Sequence, residues 1–426
     1  FTDAYAAAPV CSPTRASLMS GQYPARVGII DFIPGHWRPY EKVIVPKNRT
    51  KHLPLDIFTL GDMFQSNGYK TAMFGKWHIG SGKEYHALAR GFDVANEGQR
   101  YFNTRFNPPR DDYGDKIHME RISDFGIDFI REYKDEPFFL MLNHWAVHCK
   151  LDAEDSLIQK YLNKPKDPDY TCNAVYAAVI EHLDSGTGRV LDVVDELGLT
   201  DNTIVILYSD NGGSISEHKY PGIDEGLYPM IVPDKADIYK NNPLRYMMTT
   251  NAPLRGEKGN LYEGGIRTPL IVKWPGKVSE GVKNRSLVTS VDFYTTFLDI
   301  VGASPPDNQV LDGISLVPAL LNGEEIRDRP IYWHYPVYHH GVPGSAVIKG
   351  DWKLLENLDD GSLELYNLYH DQSETSNMMQ AFPEKAKELY DLLKAWRENV
   401  GAELPVPNPV FNPDKRYIWG KHPDRE

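Results

Sequence analysis

A cysteine followed at once by helix-forming residues is the first candidate for chemistry in this chain. The segment reads Cys11-Ser12-Pro13-Thr14-Arg15-Ala16-Ser17-Leu18-Met19-Ser20-Gly21. Ser12 is a good N-cap, Pro13 suits the first helical position and Gly21 can end the helix. Free N–H groups at a helix N-terminus lower a thiol pKa and attract anions, so Cys11 is predicted to be reactive. Arg15 opposes the helix dipole, which indicates that it serves a ligand or position 11.

A lysine and a histidine follow the next predicted strand, which covers residues 69–74. In extended geometry Lys76 and His78 would point to the same side, because side chains alternate faces along a strand. A cation and a titratable imidazole would then project together from the strand end. Taken alone, the pair also fits a solvated loop.

Two histidines follow the unbroken apolar run 138–142, which predicts a strand buried on both faces, as in a parallel sheet. Catalytic residues of open α/β folds gather at the carboxyl ends of such strands. His144 and His148 are therefore both candidates for proton transfer. Either could instead be a hydrogen-bonded polar residue at the sheet edge.

Asp210 and Asn211 follow a further predicted strand, residues 203–208. A carboxylate and an amide carbonyl are the hard oxygen donors that Ca²⁺ prefers, although an Asp-Asn-Gly sequence alone is often only a turn. Lys258 lies in a glycine-rich segment, residues 252–269, where backbone and lysine can approach a ligand closely.

Five blocks in this order resemble the signatures of the type I sulfatases, a family of the alkaline-phosphatase-like superfamily. They are Cys-x-Pro-x-Arg from Cys11, Gly-Tyr-x-Thr-Ala-x-x-Gly-Lys-Trp-His-x-Gly from Gly68, Trp-Ala-Val-His from Trp145, Ser-Asp-Asn-Gly-Gly from Ser209, and Leu-Arg-Gly-x-Lys-Gly with Tyr-Glu-Gly-Gly-Ile-Arg from Leu254. The resemblance covers essentially the whole chain.

The resemblance implies hydrolysis of a sulfate ester, most often on a sulfated carbohydrate. In that family a separate maturation enzyme oxidises the cysteine, here Cys11, to formylglycine, whose hydrate is the nucleophile. Arg15, Lys76 and Lys258 would hold the sulfate oxygens together with a divalent cation, most often Ca²⁺.

The remaining roles are also implied by the resemblance. His78 would be the base that removes a proton from the covalent intermediate, and His148 rather than His144 would help to protonate the leaving group. Asp210, Asn211 and the modified residue 11 would bind the metal. Cys149-Lys150 departs from the Thr-Pro that usually follows this histidine, so the adjoining loop is expected to differ.

The elements that must position these residues predict an α/β fold. We expect a large, mostly parallel sheet flanked by helices over residues 1–304, with the family's N-terminal strand missing. Residues 305–426 would form a smaller α+β subdomain. Turn signals there separate short strands at 345–348, 352–356 and 363–368, and the apolar face of residues 383–399 predicts a helix.

Composition sets broad limits on function. Of the 426 residues, 41% are hydrophobic and 25% charged, which is ordinary for a globular protein. The formal net charge of −13 disfavours nucleic-acid binding. No apolar run is long enough to span a bilayer. If Cys11 is modified, Cys149 and Cys172 can form one bridge or stay free thiols.

One family feature is missing from this sequence. Related sulfatases begin with a strand that ends in paired, metal-binding aspartates, and Asp3 lies in the wrong context to replace them. We therefore expect the sequence to be a fragment, and a periplasmic or secreted location is expected from the substrate class. The alternatives are a phosphomonoester, phosphodiester or phosphonate hydrolase of the same superfamily, or a non-catalytic glycan-binding relative.

The segment 333–340 is rich in aromatic and imidazole side chains. Its three histidines fit no standard zinc spacing. Stacking on a sugar ring is one interpretation and simple packing is the other.

Overall fold

The computed structural model describes residues 1–35, 37–98, 106–107, 118–148, 151, 153–165, 167, 173–215 and 249–418. Cys149, Cys172 and most of the segments 101–120 and 215–250 lie outside the described residues, so the predictions made for them are not tested. The helices of the described residues are α1 (Cys11–Ser20), α2 (Pro24–Val27), α3 (Leu60–Ser66), α4 (His118–Glu132), α5 (Asp155–Asn163), α6 (Ala174–Glu196), α7 (Glu263–Ile266), α8 (Asp292–Val301), α9 (Val317–Asn322) and α10 (Pro383–Val400).

The strands of the described residues form five small sheets. They are β1 (Ala4–Tyr5), β2 (Val43–Ile44), β3 (Lys70–Gly75), β4 (Val94–Gly98), β5 (Phe106–Asn107), β6 (Phe138–Asn143), β7 (Val205–Tyr208), β8 (Leu270–Lys273), β9 (Val288–Thr289), β10 (Pro330–Tyr335), β11 (Gly344–Lys349), β12 (Trp352–Asn357), β13 (Leu363–Asn367) and β14 (Val406–Pro407). The pairs β1–β9, β2–β14 and β7–β8 stand apart from two sheets of four strands.

The sheet that carries the N-terminal half has the order β5-β4-β3-β6, in which β3 runs parallel to both β4 and β6. Helices cover both faces of β3. Met73 packs with Leu60 and Met63 of α3 on one side, and Phe74 packs with Ile122 and Phe125 of α4 on the other. Burial of these apolar side chains holds the layers together. The predicted α/β arrangement is confirmed here.

The expected large, mostly parallel sheet is not what the described residues form. β7 pairs antiparallel with β8, and neither belongs to the four-stranded sheet. All six residues of β6 are only half-buried, because β6 is the edge strand of its sheet. Leu207 of β7 and Ile271 of β8, which are register partners, are 44% and 62% exposed. The sheets are therefore mixed in direction, and the apolar runs are less buried than their composition predicts.

The C-terminal elements agree with the sequence. Strands β10 to β13 form an antiparallel meander, and α10 lies against it. Leu389, Leu393 and Trp396 of α10 pack on Val347 of β11 and Leu354 of β12. The boundary at residues 304 and 305 stays a prediction. Within the part of the chain that the structure describes, no helix is both long and apolar enough to cross a membrane.

Candidate active site

Cys11 lies at the start of α1, where it contacts a histidine from a distant loop. Its Sγ atom is 3.3 Å from Nδ1 of His78, and the other ring nitrogen, Nε2, is 2.7 Å from the carbonyl oxygen of Ile33. A carbonyl oxygen can only accept, so Nε2 carries the proton and donates it. In the neutral ring the Nδ1 lone pair therefore faces position 11. This is the geometry required of a base acting at that position.

The helix begins two residues earlier than the capping argument predicts. Val10 occupies the N-cap position without a side-chain hydrogen bond, and Cys11 is the first helical residue. The prediction of Ser12 as N-cap is wrong, because its Oγ instead accepts a hydrogen bond from the backbone N–H of Ile33, at 3.0 Å. Ser12 thus anchors the same residue whose carbonyl oxygen orients His78. Gly21 ends the helix with a φ of 68°, as predicted.

His78 and Lys76 reach the site from a loop, not from a strand. β3 ends at Gly75, so the alternation argument that placed both side chains on one side does not apply. His78 has a φ of 59°, in the left-handed region that non-glycine residues rarely adopt. Such strain persists where the surrounding structure enforces it, often at functional sites. Here the two hydrogen-bonding contacts of the ring hold His78 in this conformation.

Three basic side chains converge on the same place. The Nε atom of Arg15 is 2.8 Å from Oδ2 of Asp210, and Nζ of Lys76 is 3.8 Å from that oxygen. The guanidinium also donates to the backbone carbonyl of Lys76, at 2.7 Å. Arg15 therefore binds an acidic residue and the Lys76 loop at once, which explains an arginine in the N-terminal half of α1.

Lys258 is placed by its backbone. Its N–H donates to Gly213 at 3.0 Å, and the N–H of Gly259 donates to Pro9 at 2.9 Å. The first bond ties the loop to the turn after Asp210, and the second ties it to the residues before Cys11. The glycine is required, because a Cβ at position 259 would lie 2.3 Å from the His339 ring.

The charges of these groups shift one another's pKa values. Burial works to raise the pKa of the Cys11 thiol, but Lys76, the His78 ring in its protonated form and Lys258 hold it well below its usual range. Burial likewise opposes ionisation of Asp210, yet Arg15, Lys76 and Lys258 keep its pKa far below that of a free carboxyl. Burial lowers the pKa of Lys76, with Cys11 and Asp210 acting against it. The site is built to hold negative charge.

Ser209 follows the last residue of β7, and Asp210 and Asn211 come next, as the sequence predicts. The side-chain amide of Asn211 donates to the carbonyl of Gly212 at 2.8 Å, which leaves its side-chain oxygen for another partner. The two residues fit a divalent cation as hard oxygen ligands. The described residues contain no cluster of three or more His, Cys, Asp or Glu side chains arranged for a metal.

Trp145 connects His148 to the rest of the site. Its indole ring lies 4.7 Å from Nζ of Lys76, 6.1 Å from the His78 ring and 5.9 Å from the His148 ring. Trp145 lies in the Trp-Ala-Val-His block, but no function was predicted for it from the sequence. An aromatic residue between two histidines at a strand end was the signal available. Burial lowers the pKa of His144 to about 4, and its Nδ1 has no hydrogen-bond partner.

The aromatic segment of the C-terminal part is mostly packed inside the protein. Trp333, His334 and Tyr335 are 1%, 5% and 1% exposed, so packing explains them better than sugar stacking. The ring of His339 is also buried and lies against Gly259. Nδ1 of the neighbouring His340 is 3.4 Å from Oε2 of Glu257, so this end of the segment lies against the Lys258 loop.

The fold and the site together define a class of protein. An imidazole, an arginine, two lysines and a carboxylate gather around one buried position beside the ends of strands in an α/β fold. This arrangement suits an enzyme that binds the oxyanion of an ester and moves protons around it.

Comparison with known sequences identifies the family within that class. The profile of the Sulfatase family matches residues 1–303, and the profile described as N-sulphoglucosamine sulphohydrolase, C-terminal, matches residues 256–399. The chain belongs to the sulfatase family.

Individual relatives support the same conclusion. A sulfatase of Formosa agariphila is 29% identical over 96% of this chain and 84% of its own. The dog N-acetylgalactosamine-6-sulfatase is 27% identical over 83% of this chain, but the match spans only 64% of the dog protein. The crystal structure of Ps i-CgsB in complex with k-i-k-neocarrahexaose superposes with a TM-score of 0.74 at 24% identity, covering 96% of this chain and 86% of that one. The shared fold is the alkaline-phosphatase-like α/β fold with a C-terminal subdomain.

Proposed function

We propose that this protein hydrolyses a sulfate ester at the site around Cys11. One observation carries the proposal. The lone pair of His78 Nδ1 faces position 11, while Arg15, Lys76 and Lys258 concentrate positive charge around it. A proton acceptor and a cationic pocket at one position are what transfer of an oxyanion group requires.

Two groups implied by the family would complete the site. Formylglycine formed from Cys11 by a maturation enzyme supplies a hydroxyl nucleophile when hydrated. A divalent cation, which we expect to be Ca²⁺, would be held by Asp210, Asn211 and residue 11, and it would orient and polarise the sulfate oxygens.

The chain's own residues would bind the sulfate oxygens and transfer the protons. Arg15, Lys76 and Lys258 bind the sulfate oxygens and stabilise the charge that develops on them. His78 accepts a proton from the group at position 11, because its Nδ1 lone pair already points there. His148 and Lys258 hold the proton that the leaving oxygen takes up. Burial of Cys11, which is 2% exposed, excludes water from competing with these contacts.

A sulfated carbohydrate is the proposed substrate class. The dog relative is named for a sulfated aminosugar, and Ps i-CgsB was crystallised with a neocarrahexaose. We further propose a catalytic domain over residues 1–304, a C-terminal subdomain over residues 305–426, and a periplasmic or secreted location where such substrates occur.

The test is sulfate release by protein expressed from its whole gene together with a formylglycine-generating enzyme. The panel holds sulfated glycosaminoglycans, sulfated galactans, an aryl sulfate and an aryl phosphate. We expect release from at least one sulfated glycan, loss of release in Cys11→Ala, and a drop of about 10²- to 10⁴-fold in His78→Asn. Faster turnover of the phosphate ester, or no release by protein with confirmed aldehyde and bound metal, would overturn the proposal.

A further inference from the structure

A buried lysine of the C-terminal meander holds two carboxylates at once. Nζ of Lys353, on β12, is 3.0 Å from Oε1 of Glu263 and 2.7 Å from Oε1 of Glu374. All three side chains are 0% exposed. Burial, opposed by Lys353, raises the pKa of Glu374 to about 7, which reflects how unfavourable a second buried carboxylate is. Fully buried charges contribute weakly to stability compared with apolar packing, so the cluster calls for another explanation.

Glu374 is held in an unusual conformation to reach this cluster. Its φ is 51°, in the left-handed region, although it is neither glycine nor asparagine. Its second oxygen, Oε2, accepts the backbone N–H of Glu263 at 2.7 Å. Glu374 therefore binds both the side chain of Lys353 and the first backbone amide of α7. Strain of this kind is retained where a contact depends on it.

Glu263 begins the short helix α7, and that helix is bonded to both halves of the candidate active site. The N–H of Gly264 donates to Arg255 at 2.7 Å, closing the loop that carries Lys258. The carbonyl of Gly265 accepts the N–H of Gly212 at 2.9 Å, directly after Asp210 and Asn211. The Lys258 N–H donates to Gly213 at 3.0 Å. The position of α7 therefore fixes the sulfate-binding loop and the metal-binding turn together.

We propose that Lys353 and Glu374 are positioning residues for the reaction: from the C-terminal part of the chain they clamp Glu263, and through α7 they set the position of Lys258 and of the Asp210-Asn211 turn. This inference rests on the sulfatase activity proposed above. None of the three clamp residues touches the reacting atoms. Their effect passes through backbone hydrogen bonds, so it should change both the binding of sulfate and its turnover.

The test uses the double variant Lys353→Met with Glu374→Gln, which removes one positive and one negative charge and so leaves the net charge of the cluster unchanged. On the substrate found active, we expect kcat/KM to fall about 10- to 100-fold, the range that a displacement of about 1 Å produces. The inhibition constant of inorganic sulfate should rise with it. In a Lys258→Ala background the same double variant should lower kcat/KM by a smaller factor than in the parent, because one of the two groups that the clamp positions is already gone.

A matched control is the buried pair Arg397 and Glu356, which joins α10 to β12 away from the site. Arg397→Met with Glu356→Gln is the same kind of change, and we expect parental kcat/KM and sulfate inhibition for the folded protein. If the double clamp variant does not fold, Glu374→Gln alone replaces it in the same assays. Parental constants in a folded clamp variant, or full additivity with Lys258→Ala, would refute the positioning role. An inactive parent would instead contradict the proposed function and leave the sulfate-inhibition comparison without a signal.

Discussion

Trp145 lies beside three side chains of the site, those of Lys76, His78 and His148. Its ring centroid lies 4.7 Å from the Lys76 ammonium, 6.1 Å from the centroid of the His78 ring and 5.9 Å from that of the His148 ring. The indole N–H donates to the carbonyl of Gly98 at 2.7 Å, which fixes the ring on β4. A cation beside an aromatic face is stabilised by about 0.5–2 kcal/mol, more when the pair is shielded from water. Lys76 is 3% exposed, so the shielded limit applies.

Two substitutions of Trp145 distinguish the effect of the aromatic face from the effect of the indole hydrogen bond. Trp145→Phe loses the bond to Gly98 but keeps an aromatic face, whereas Trp145→Leu loses both. We expect both variants to lower kcat/KM for the sulfated substrate, with the leucine variant lower than the phenylalanine variant by about two- to thirtyfold, the equivalent of one cation–π contact. Steady-state kinetics on the two purified variants would measure this. Equal losses in both would show that the ring face does not matter.

The sequence located the residues of the site better than it located their contacts. Cys11, Asp210 and Lys258 lie in recognisable local patterns, so their convergence was predictable from signatures near strand ends and helix starts. The carbonyl of Ile33 that orients His78 was not predictable, because a backbone oxygen in a loop carries no sequence signature. The strained φ of His78 is equally invisible in the sequence.

At the scale of elements, the turn after β7 depends on the absence of a side chain. The Cβ of any residue at position 212 would lie 1.9 Å from the carbonyl oxygen of Gly264. That approach brings the turn carrying Asp210 and Asn211 against α7 and allows the hydrogen bond from Gly212 to Gly265. A glycine is therefore required by the contact between two elements and not by its own φ angle.

We expect Gly212→Ala to lower the free energy of unfolding by about 1–3 kcal/mol, since backbone must move to admit the methyl group. Activity should fall by more than the loss of folded protein explains, because the displaced turn carries Asp210 and Asn211, the proposed metal ligands. Gly188→Ala, inside α6, is the matched control: nothing lies within 4 Å of its Cβ, and alanine should stabilise that helix by about 0.5–1 kcal/mol. Urea unfolding of both variants would decide. Unchanged stability in Gly212→Ala would contradict the packing argument.

Local signals predicted elements well and their long-range arrangement less well. The helix α10 begins at Pro383, as expected, and Thr59 caps α3 through a reciprocal bond with Asp62. The strands of the meander are also separated by the predicted turns. The direction and partner of β7 were not predictable, because an apolar run of four to six residues reads the same in a parallel and in an antiparallel pair.

At the scale of the whole molecule, a buried histidine makes stability depend on pH. His334 of β10 is 5% exposed and bridges two parts of the C-terminal region. Its Nε2 donates to the carbonyl of Glu403, beyond α10, and its Nδ1 pairs with the hydroxyl of Ser345 on β11, both at 2.8 Å. Burial is the main cause that lowers the pKa of His334 to about 4. The ring is therefore neutral in the folded protein at pH 5 to 7.

The lowered pKa of His334 makes the folded protein less stable as the pH falls. In the unfolded chain the histidine pKa is about 6.5, so between pH 6.5 and pH 4 the unfolded state binds a proton that the folded state refuses. The contribution of His334 to stability is complete above about pH 6.5 and is lost progressively as the pH falls toward 4, by up to about 3 kcal/mol.

Urea unfolding of the parent and of His334→Gln across that window would measure this contribution. We expect the free energy of unfolding to fall less steeply with acidification in the variant. Ser345→Ala is the control, because it removes a hydrogen-bond partner but leaves the imidazole buried, and it should keep the parental slope. A parental slope in His334→Gln would mean that other groups carry the acid sensitivity of this protein.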